Sequence, residues 1–234
     1  MNGDAVPWSR EAFEAKLQDQ GSTYHIHHPF NVMLNSGGAS REQIQGWVAN
    51  RFAYQRIIPI KDAAILSNCP YPAIRRRWIQ RIIDHDGQAE GEGGIETWLR
   101  LGEAVGLTRE EMWDERHVQP GARFAAEAYV TFTRTRPWIE AVASSLTELF
   151  APDLMRERIA AFERYYPWVE ASGLAYFKSR LVQAPRDANH AIELVTEYCT
   201  TRELQEKAIA ALKFKCDVLQ CLLDAIDHAY RKVD

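Results

Sequence analysis

Leu204-Gln-Glu-Lys-Ala208-Ile-Ala-Ala211-Leu-Lys-Phe-Lys215-Cys-Asp-Val-Leu219-Gln-Cys-Leu222-Leu-Asp-Ala-Ile226 places small and apolar side chains at steps of three and four. Such spacing puts them on one face of an α-helix and scatters them over both faces of a strand. Thr200-x-x-Glu203 reads as a capping box for this helix, which is expected to reach about Tyr230. Lys215 interrupts the middle of the stripe. An unpaired buried ammonium is costly, so Lys215 either snorkels to solvent, joins a buried salt bridge or meets an anionic ligand.

Working outward, the same period recurs and no convincing strand alternation accompanies it. Ser9 can cap a helix through about Gln20, and Pro29 suits the first turn of a short one ending near Asn35. Ser40-x-x-Gln43 is a capping box for a helix over about 41–57, which Pro59 kinks or restarts and Asn68-Cys69-Pro70 ends. A helix over about 71–85 follows, then one from Gly94 to Ala104, then a short one capped by Thr108-x-x-Glu111. Pro120, Pro137 and Pro152 open helices reaching about Arg136, Phe150 and Tyr165. Val169–Val182 is expected to be helical and closed by Pro185, with a separate helix over 187–199. The linkers are short and no repeat stands out. The reading is one all-α domain over residues 1–234, a compact bundle of seven or more helices.

Composition narrows the functional class. A formal net charge of −4 argues against nucleic acid as the main partner, without excluding a local cationic pocket. No apolar run approaches the ~20 residues of a membrane span, and the N-terminus lacks the pattern of a signal peptide. Cys69, Cys199, Cys216 and Cys221 form no Cys-x-x-Cys pair, which fits a reducing, cytoplasmic setting.

Chemistry-bearing residues stand where core faces are expected. Arg51, Tyr54 and Gln55 share one surface of the 41–57 helix, a patch of donors suited to carboxylates. Tyr176 and Arg180 are one turn apart, as are Arg81 and His85. His85 lies between Asp84 and Asp86, partners that would fix its tautomer and raise its basicity, and Gly87, Gly91, Gly93 and Gly94 follow in a loop that is a candidate lid. Each interruption alone suits a structural role. Together they point to a cationic, proton-active pocket for an anionic ligand. A metal site competes with this reading through Asp114-x-x-His117, Asp187-x-x-His190 and the His25-Ile26-His27-His28 cluster, which also offers His25 as a haem ligand. Glu-x-x-His, the di-iron bundle motif, is absent from the sequence. Cys216 beside Lys215 is a weaker candidate nucleophile.

These residues resemble the pyrroloquinoline quinone synthase family. The matching segments are Tyr24-His25-Ile26-His27-His28-Pro29, Arg41 to Gln55, Ile60-Lys61-Asp62-Ala63-Ala64, Arg81 to Gly87, Gly93-Gly94-Ile95-Glu96, Arg123-Phe124, Ser144 to Phe150, Tyr176 to Leu181 and Phe214-Lys215. The resemblance spans nearly the whole chain. It implies a bundle of about seven helices similar to haem oxygenase and the TenA (thiaminase-II-like) proteins, usually a homodimer. It also implies the last step of pyrroloquinoline quinone biosynthesis. A polycarboxylated quinone precursor closes its second ring and loses eight electrons to dioxygen, giving pyrroloquinoline quinone and hydrogen peroxide, with no metal or redox cofactor. Arg51, Gln55, Arg81, Arg158 and Lys215 would then hold carboxylates. Tyr24, His25, Tyr54, Tyr129, Thr147 and Glu148 would complete the substrate contacts. His85 would move protons, and Tyr176 and Arg180 would flank dioxygen. The chain departs from the pattern at Met155, where some members carry a histidine, so a proton shuttle there is not carried over. A carrier that only holds the finished quinone, or a metal-dependent oxidase of the same fold, are the alternatives.

Overall fold

A computed structural model describes residues 5–231, and all regular structure among them is helical. The helices are α1 (Arg10–Asp19), α2 (Pro29–Asn35), α3 (Arg41–Asn68), α4 (Pro72–Trp78), α5 (Gln80–Asp86) and α6 (Gly93–Ala104). They continue as α7 (Arg109–Trp113), α8 (Pro120–Thr135), α9 (Trp138–Ala143), α10 (Ala151–Tyr165), α11 (Ala175–Tyr198) and α12 (Arg202–Tyr230). Seven of them (α1, α3, α6, α8, α10, α11 and α12) have ten residues or more, which is the bundle expected from the sequence. The additional short helices, with 3₁₀ turns at Gln20–Thr23, His25–His27, Ser144–Leu149 and Ala171–Leu174, are where the chain changes direction.

Several boundaries differ from the sequence reading. α3 runs unbroken through Pro59 and α11 through Pro185. An interior proline costs ~3 kcal/mol, whereas each large apolar side chain fully buried contributes ~1.5–3 kcal/mol. α3 buries Ile58 just before its proline and Ile65 after it, and α11 buries Phe177 before its own and Leu194 and Val195 after it, so packing on both sides holds each helix together. The 71–85 segment breaks between α4 and α5 at Ile79. The segment after Pro137 tightens to a 3₁₀ turn from Ser144, and the one after Trp168 becomes α-helical only from Ala175. The cap of α12 is Thr201, whose hydroxyl accepts from the Leu204 amide, one residue later than expected. The capping boxes at Ser40/Gln43 and Thr108/Glu111 are both formed.

α3 packs between α8 on one side and α5 and α6 on another, while α12 closes against α8, α9 and the Ser144–Leu149 turn. α10 and α11 pack against each other. An aromatic cluster ties α3, α6 and α11 together, with Trp47 and Trp98 centroids 5.5 Å apart and Trp98 and Phe177 5.8 Å apart. The Trp98 indole N–H donates to the Val48 carbonyl at 2.9 Å, so its burial leaves no unmet donor. In α12, Ala208, Ala211, Lys215, Leu219, Leu222 and Ile226 are all buried, and the stripe points inward with its lysine included.

Candidate active site

The face of α3 that carries Arg51, Tyr54, Gln55 and Ile58 forms the floor of a cavity of about 60 Å³. Its walls are Tyr24 and His25 from the turn before α2, His85 from α5, Thr147 and Glu148 from the 3₁₀ turn, and Tyr176 and Arg180 from α11. Met155 of α10 lines it as well. A smaller chamber of about 20 Å³ adjoins it, sharing His25, Arg51, Met155 and Tyr176, and brings in Arg158. The structure thus gathers Tyr24, His25, Arg51, Tyr54, Gln55, His85, Thr147, Glu148, Arg158, Tyr176 and Arg180 around one space. Arg81, Tyr129 and Lys215 stand behind the lining. Lys215 donates to the Tyr54 hydroxyl, and its ammonium lies 4.1 Å from the Tyr54 ring centroid and 3.9 Å from that of Tyr129.

Two electrostatic zones meet here. In the first, buried cations and carboxylates are matched. Arg81 directs Nε to Asp62 at 3.2 Å, Nη2 to Glu148 at 3.2 Å and Nη1 to within 3.0 Å of Asp187. Arg180 holds Glu148 at 2.6 Å and lies 3.5 Å from Asp187, and Lys61 reaches Asp62 at 2.7 Å. Lys61, Arg81 and Arg180 thereby offset Asp62, Glu148 and Asp187. Burial opposes the ionisation of Glu148, but Arg180 and Arg81 outweigh it and hold its carboxyl down to about 2.

In the second zone the cations have no such partner. Among the described residues no carboxylate is paired with Arg51, Arg158 or Lys215. Arg51 Nη1, Arg158 Nε and Nη1, Gln55 Nε2 and His25 Nδ1 are all buried without a hydrogen-bond partner. Burial, with Arg51 next, pushes the Arg158 guanidinium down to about 9. Burial, then Arg51 and Lys61, holds the Lys215 ammonium well below its ordinary range. Burial, then Arg51 and Arg158, keeps His25 neutral. Orphaned buried donors are rare, and a cluster of them around one cavity fits a polyanionic ligand that accepts from all of them.

His85 is set differently from the sequence expectation. Asp84 and Asp86 do not raise its basicity: Asp84 bonds Gln80 and pairs with Arg186, and Asp86 is exposed. Its Nδ1 instead lies 3.0 Å from the Arg81 carbonyl, an acceptor only, so Nδ1 carries the proton and Nε2 is the ring's basic nitrogen. Burial, then Arg180, pushes the imidazole down to about 4. The glycine loop is drawn in at its ends rather than hanging free. Gly87 and Gly93 have φ of +83° and +88°, and a Cβ on Gly93 would stand 2.5 Å from the His85 carbonyl oxygen. A Cβ on Gly94 would lie 3.4 Å from both His85 Cδ2 and Tyr176 Cε2, so this loop backs the cavity wall.

Several participants escape the sequence analysis. Lys61 and Asp62 continue the Arg51–Ile58 face past Pro59, and Asn31 bonds Arg158 from α2. The i, i+3 and i+4 spacing from Ile58 to Lys61 and Asp62 is the signal that reveals the first two. Asp187, expected as a candidate metal ligand with His190, is taken up by Arg81, Arg180 and Arg186. The histidine cluster does not converge. His25 lines the cavity, His27 is exposed, and His28 accepts from the Phe30 amide while its Nε2 lies 3.1 Å from Asp224. Among the described residues no three His, Cys, Asp or Glu side chains gather to hold a metal ion.

The fold and sequence have known counterparts. A domain with a haem oxygenase-like fold from Shewanella denitrificans superposes with a TM-score of 0.78, at 13% identity over 96% of this chain and 94% of that one. A TenA homologue from Pseudomonas syringae gives 0.73, at 13% identity over 97% and 98%. Proteins named pyrroloquinoline-quinone synthase are far nearer in sequence. The one from Pseudomonas aeruginosa is 58% identical over 94% of this chain and 88% of its own length. That from Cronobacter sakazakii is 56% identical over 94% and 88%, and that from Acinetobacter baylyi 54% over 98% and 90%. The model of the TENA/THI-4/PQQC family matches residues 14–225, and the chain belongs to that family.

Proposed function

We propose that this protein is a pyrroloquinoline-quinone synthase that carries out the last step of pyrroloquinoline quinone biosynthesis. A polycarboxylated quinone precursor would close its second ring and be oxidised by eight electrons, with dioxygen as acceptor and hydrogen peroxide as product. The observation that carries this reading is the set of unpartnered donors on Arg51, Gln55, Arg158 and His25, beside the unpaired Lys215, in a chain more than half identical to proteins of that name. Substrate carboxylates would take these donors. His85 Nε2 would accept a proton from substrate carbon, its ring held by the Arg81 carbonyl. Arg180, fixed by Glu148, would offset charge developing on reduced dioxygen, and the Tyr176 hydroxyl, which donates to Gln55 Oε1 at 2.9 Å, would turn its O–H to that dioxygen. The electrons would come from the substrate itself, with no metal or redox cofactor. The protein would act as a homodimer, which sedimentation would check.

The cavity of about 60 Å³ is too small for such a ligand, since small-molecule sites occupy ~300–1,000 Å³. A groove of about 770 Å³ lies outside it, and Tyr24 lines both spaces. Tyr24 and Phe150 have ring centroids 5.4 Å apart, and their separation would join the groove to the site. The test is a pair of reactions. Metal-stripped protein is mixed with the unclosed precursor in air and without oxygen, and quinone and peroxide are assayed. Product and peroxide in air only are expected. No product in air, with rescue by added iron or copper, would overturn the metal-free mechanism.

A further inference from the structure

Asn31 lies in α2, 1% exposed, and borders the inner chamber. Its Nδ2 donates to the His25 carbonyl at 2.6 Å, and its Oδ1 accepts from Arg158 Nη2 at 2.6 Å. The first bond fixes the second. Only the amide NH₂ can donate to a carbonyl, so the oxygen must face the guanidinium. Arg158 is thereby held over the Trp47 ring, 4.5 Å from its centroid, while Nε and Nη1 stay without partners.

We propose that Asn31 is a positioning residue for ligand carboxylates, one that fixes the direction of Arg158 and the backbone of His25 while leaving the charge of Arg158 uncompensated. This inference rests on the reading of the cavity as a polycarboxylate site. The contrast with neighbouring arginines supports it. Arg81 and Arg180 are each tied to two or more carboxylates and so present less free charge than Arg158. A carboxylate at position 31 would also accept from Arg158, but it could not donate to the His25 carbonyl and would cancel the charge that a ligand needs. A neutral amide supplies the geometry without the cancellation. The same side chain links α10, through Arg158, to the Tyr24–His28 segment that walls the cavity.

The experiment is a double-mutant cycle on affinity for pyrroloquinoline quinone, read by quenching of tryptophan fluorescence. The proteins are the parent, Asn31→Ala, Asn31→Asp, Arg158→Ala and Asn31→Ala/Arg158→Ala, each checked by circular dichroism and thermal unfolding. Asn31→Ala is expected to weaken binding about tenfold in the parent and by less than about twofold when Arg158 is already alanine. Asn31→Asp is isosteric and still accepts from Arg158, yet is expected to weaken binding by at least about tenfold because it neutralises the arginine and can no longer donate to the His25 carbonyl. Equal losses from Asn31→Ala in both backgrounds would mean a merely structural role and overturn the proposal. So would Asn31→Asp binding as tightly as the parent. Failure of the parent itself to bind the quinone would remove the functional reading first and this inference with it, and is thus distinguishable from failure of the inference alone.

Discussion

Replacing Lys215 by methionine is expected to move stability and affinity in opposite directions. Methionine keeps the length and apolar stem of lysine, so the α12 stripe stays filled, but it removes an ammonium that is 2% exposed and lacks a carboxylate partner. Exchanging an uncompensated buried charge for an apolar group stabilises by ~1–4 kcal/mol. Against this stand the lost contacts to the Tyr54 and Tyr129 rings and the Tyr54 hydroxyl, together ~1–2 kcal/mol. The net is a gain of about 1 kcal/mol, or about 3 °C in Tm for a domain of this size. The gain has a pH signature. The folded-state ammonium of Lys215 titrates below the ordinary 10.5, so the unfolded chain binds its proton more tightly, and the parent gains stability as pH rises toward 10.5. The difference between Lys215→Met and the parent should therefore be largest below the depressed value and close as pH approaches 10.5. Affinity for pyrroloquinoline quinone should meanwhile fall by ~10- to 100-fold, since a charge-assisted hydrogen bond contributes ~1.5–3 kcal/mol. Thermal unfolding between pH 6 and 10 and a quinone titration of both proteins are the assays. A variant destabilised by more than about 2 kcal/mol, with affinity unchanged, would refute the idea that Lys215 is kept for a ligand.

Three further perturbations probe the rest of the site. His85→Asn retains an amide donor for the Arg81 carbonyl but no basic nitrogen, so the quinone should still bind while turnover falls at least ~100-fold; unchanged turnover would contradict the proton-transfer role. Because the folded imidazole titrates near about 4 rather than 6.5, the parent should lose up to about 3 kcal/mol as pH falls through that window, and His85→Asn should flatten this acid limb in urea titrations. Asp62→Asn should lower Tm by about 10 °C, since Lys61 and Arg81 lose a shared buried carboxylate at a cost of ~3–5 kcal/mol; a shift below about 3 °C would mean that the network reorganises freely. Gly93→Ala combines a positive φ with a Cβ 2.5 Å from the His85 carbonyl, so it should displace that helix end and reduce turnover more than quinone affinity, whereas wild-type kinetics would show that the loop does not set the His85 position.

The fold was readable because helical stripes and caps are local. Ser40/Gln43, Thr108/Glu111 and the α12 stripe each speak within a turn or two of sequence. The errors at Pro59 and Pro185 have one cause: a proline's cost is local, while the packing that outweighs it comes from distant helices. Part of the second zone was legible too, since Arg51, Tyr54 and Gln55 share one helix face and Lys215 interrupts an apolar stripe, whereas Arg158 and the ligand role of His25 entered only through the resemblance. The first zone was not. Arg81 meets Asp62 and Glu148 across 19 and 67 residues, and Glu148 meets Arg180 across 32. Nothing in the spacing tells an arginine locked by carboxylates from one left for a ligand. Asp187 illustrates the limit: its spacing to His190 suggests a metal pair, and only the tertiary fold hands it to the arginines.

The most direct test of the account is the yield of pyrroloquinoline quinone per protein chain when metal-stripped protein meets a twentyfold excess of the precursor in air. Many quinones per chain are expected, released into solution with peroxide, with that turnover lost in His85→Asn. A yield that stops at one bound quinone per chain would contradict the predicted turnover, and no quinone at all, with the finished quinone still bound tightly, would make the cavity a carrier's and contradict the catalytic assignment.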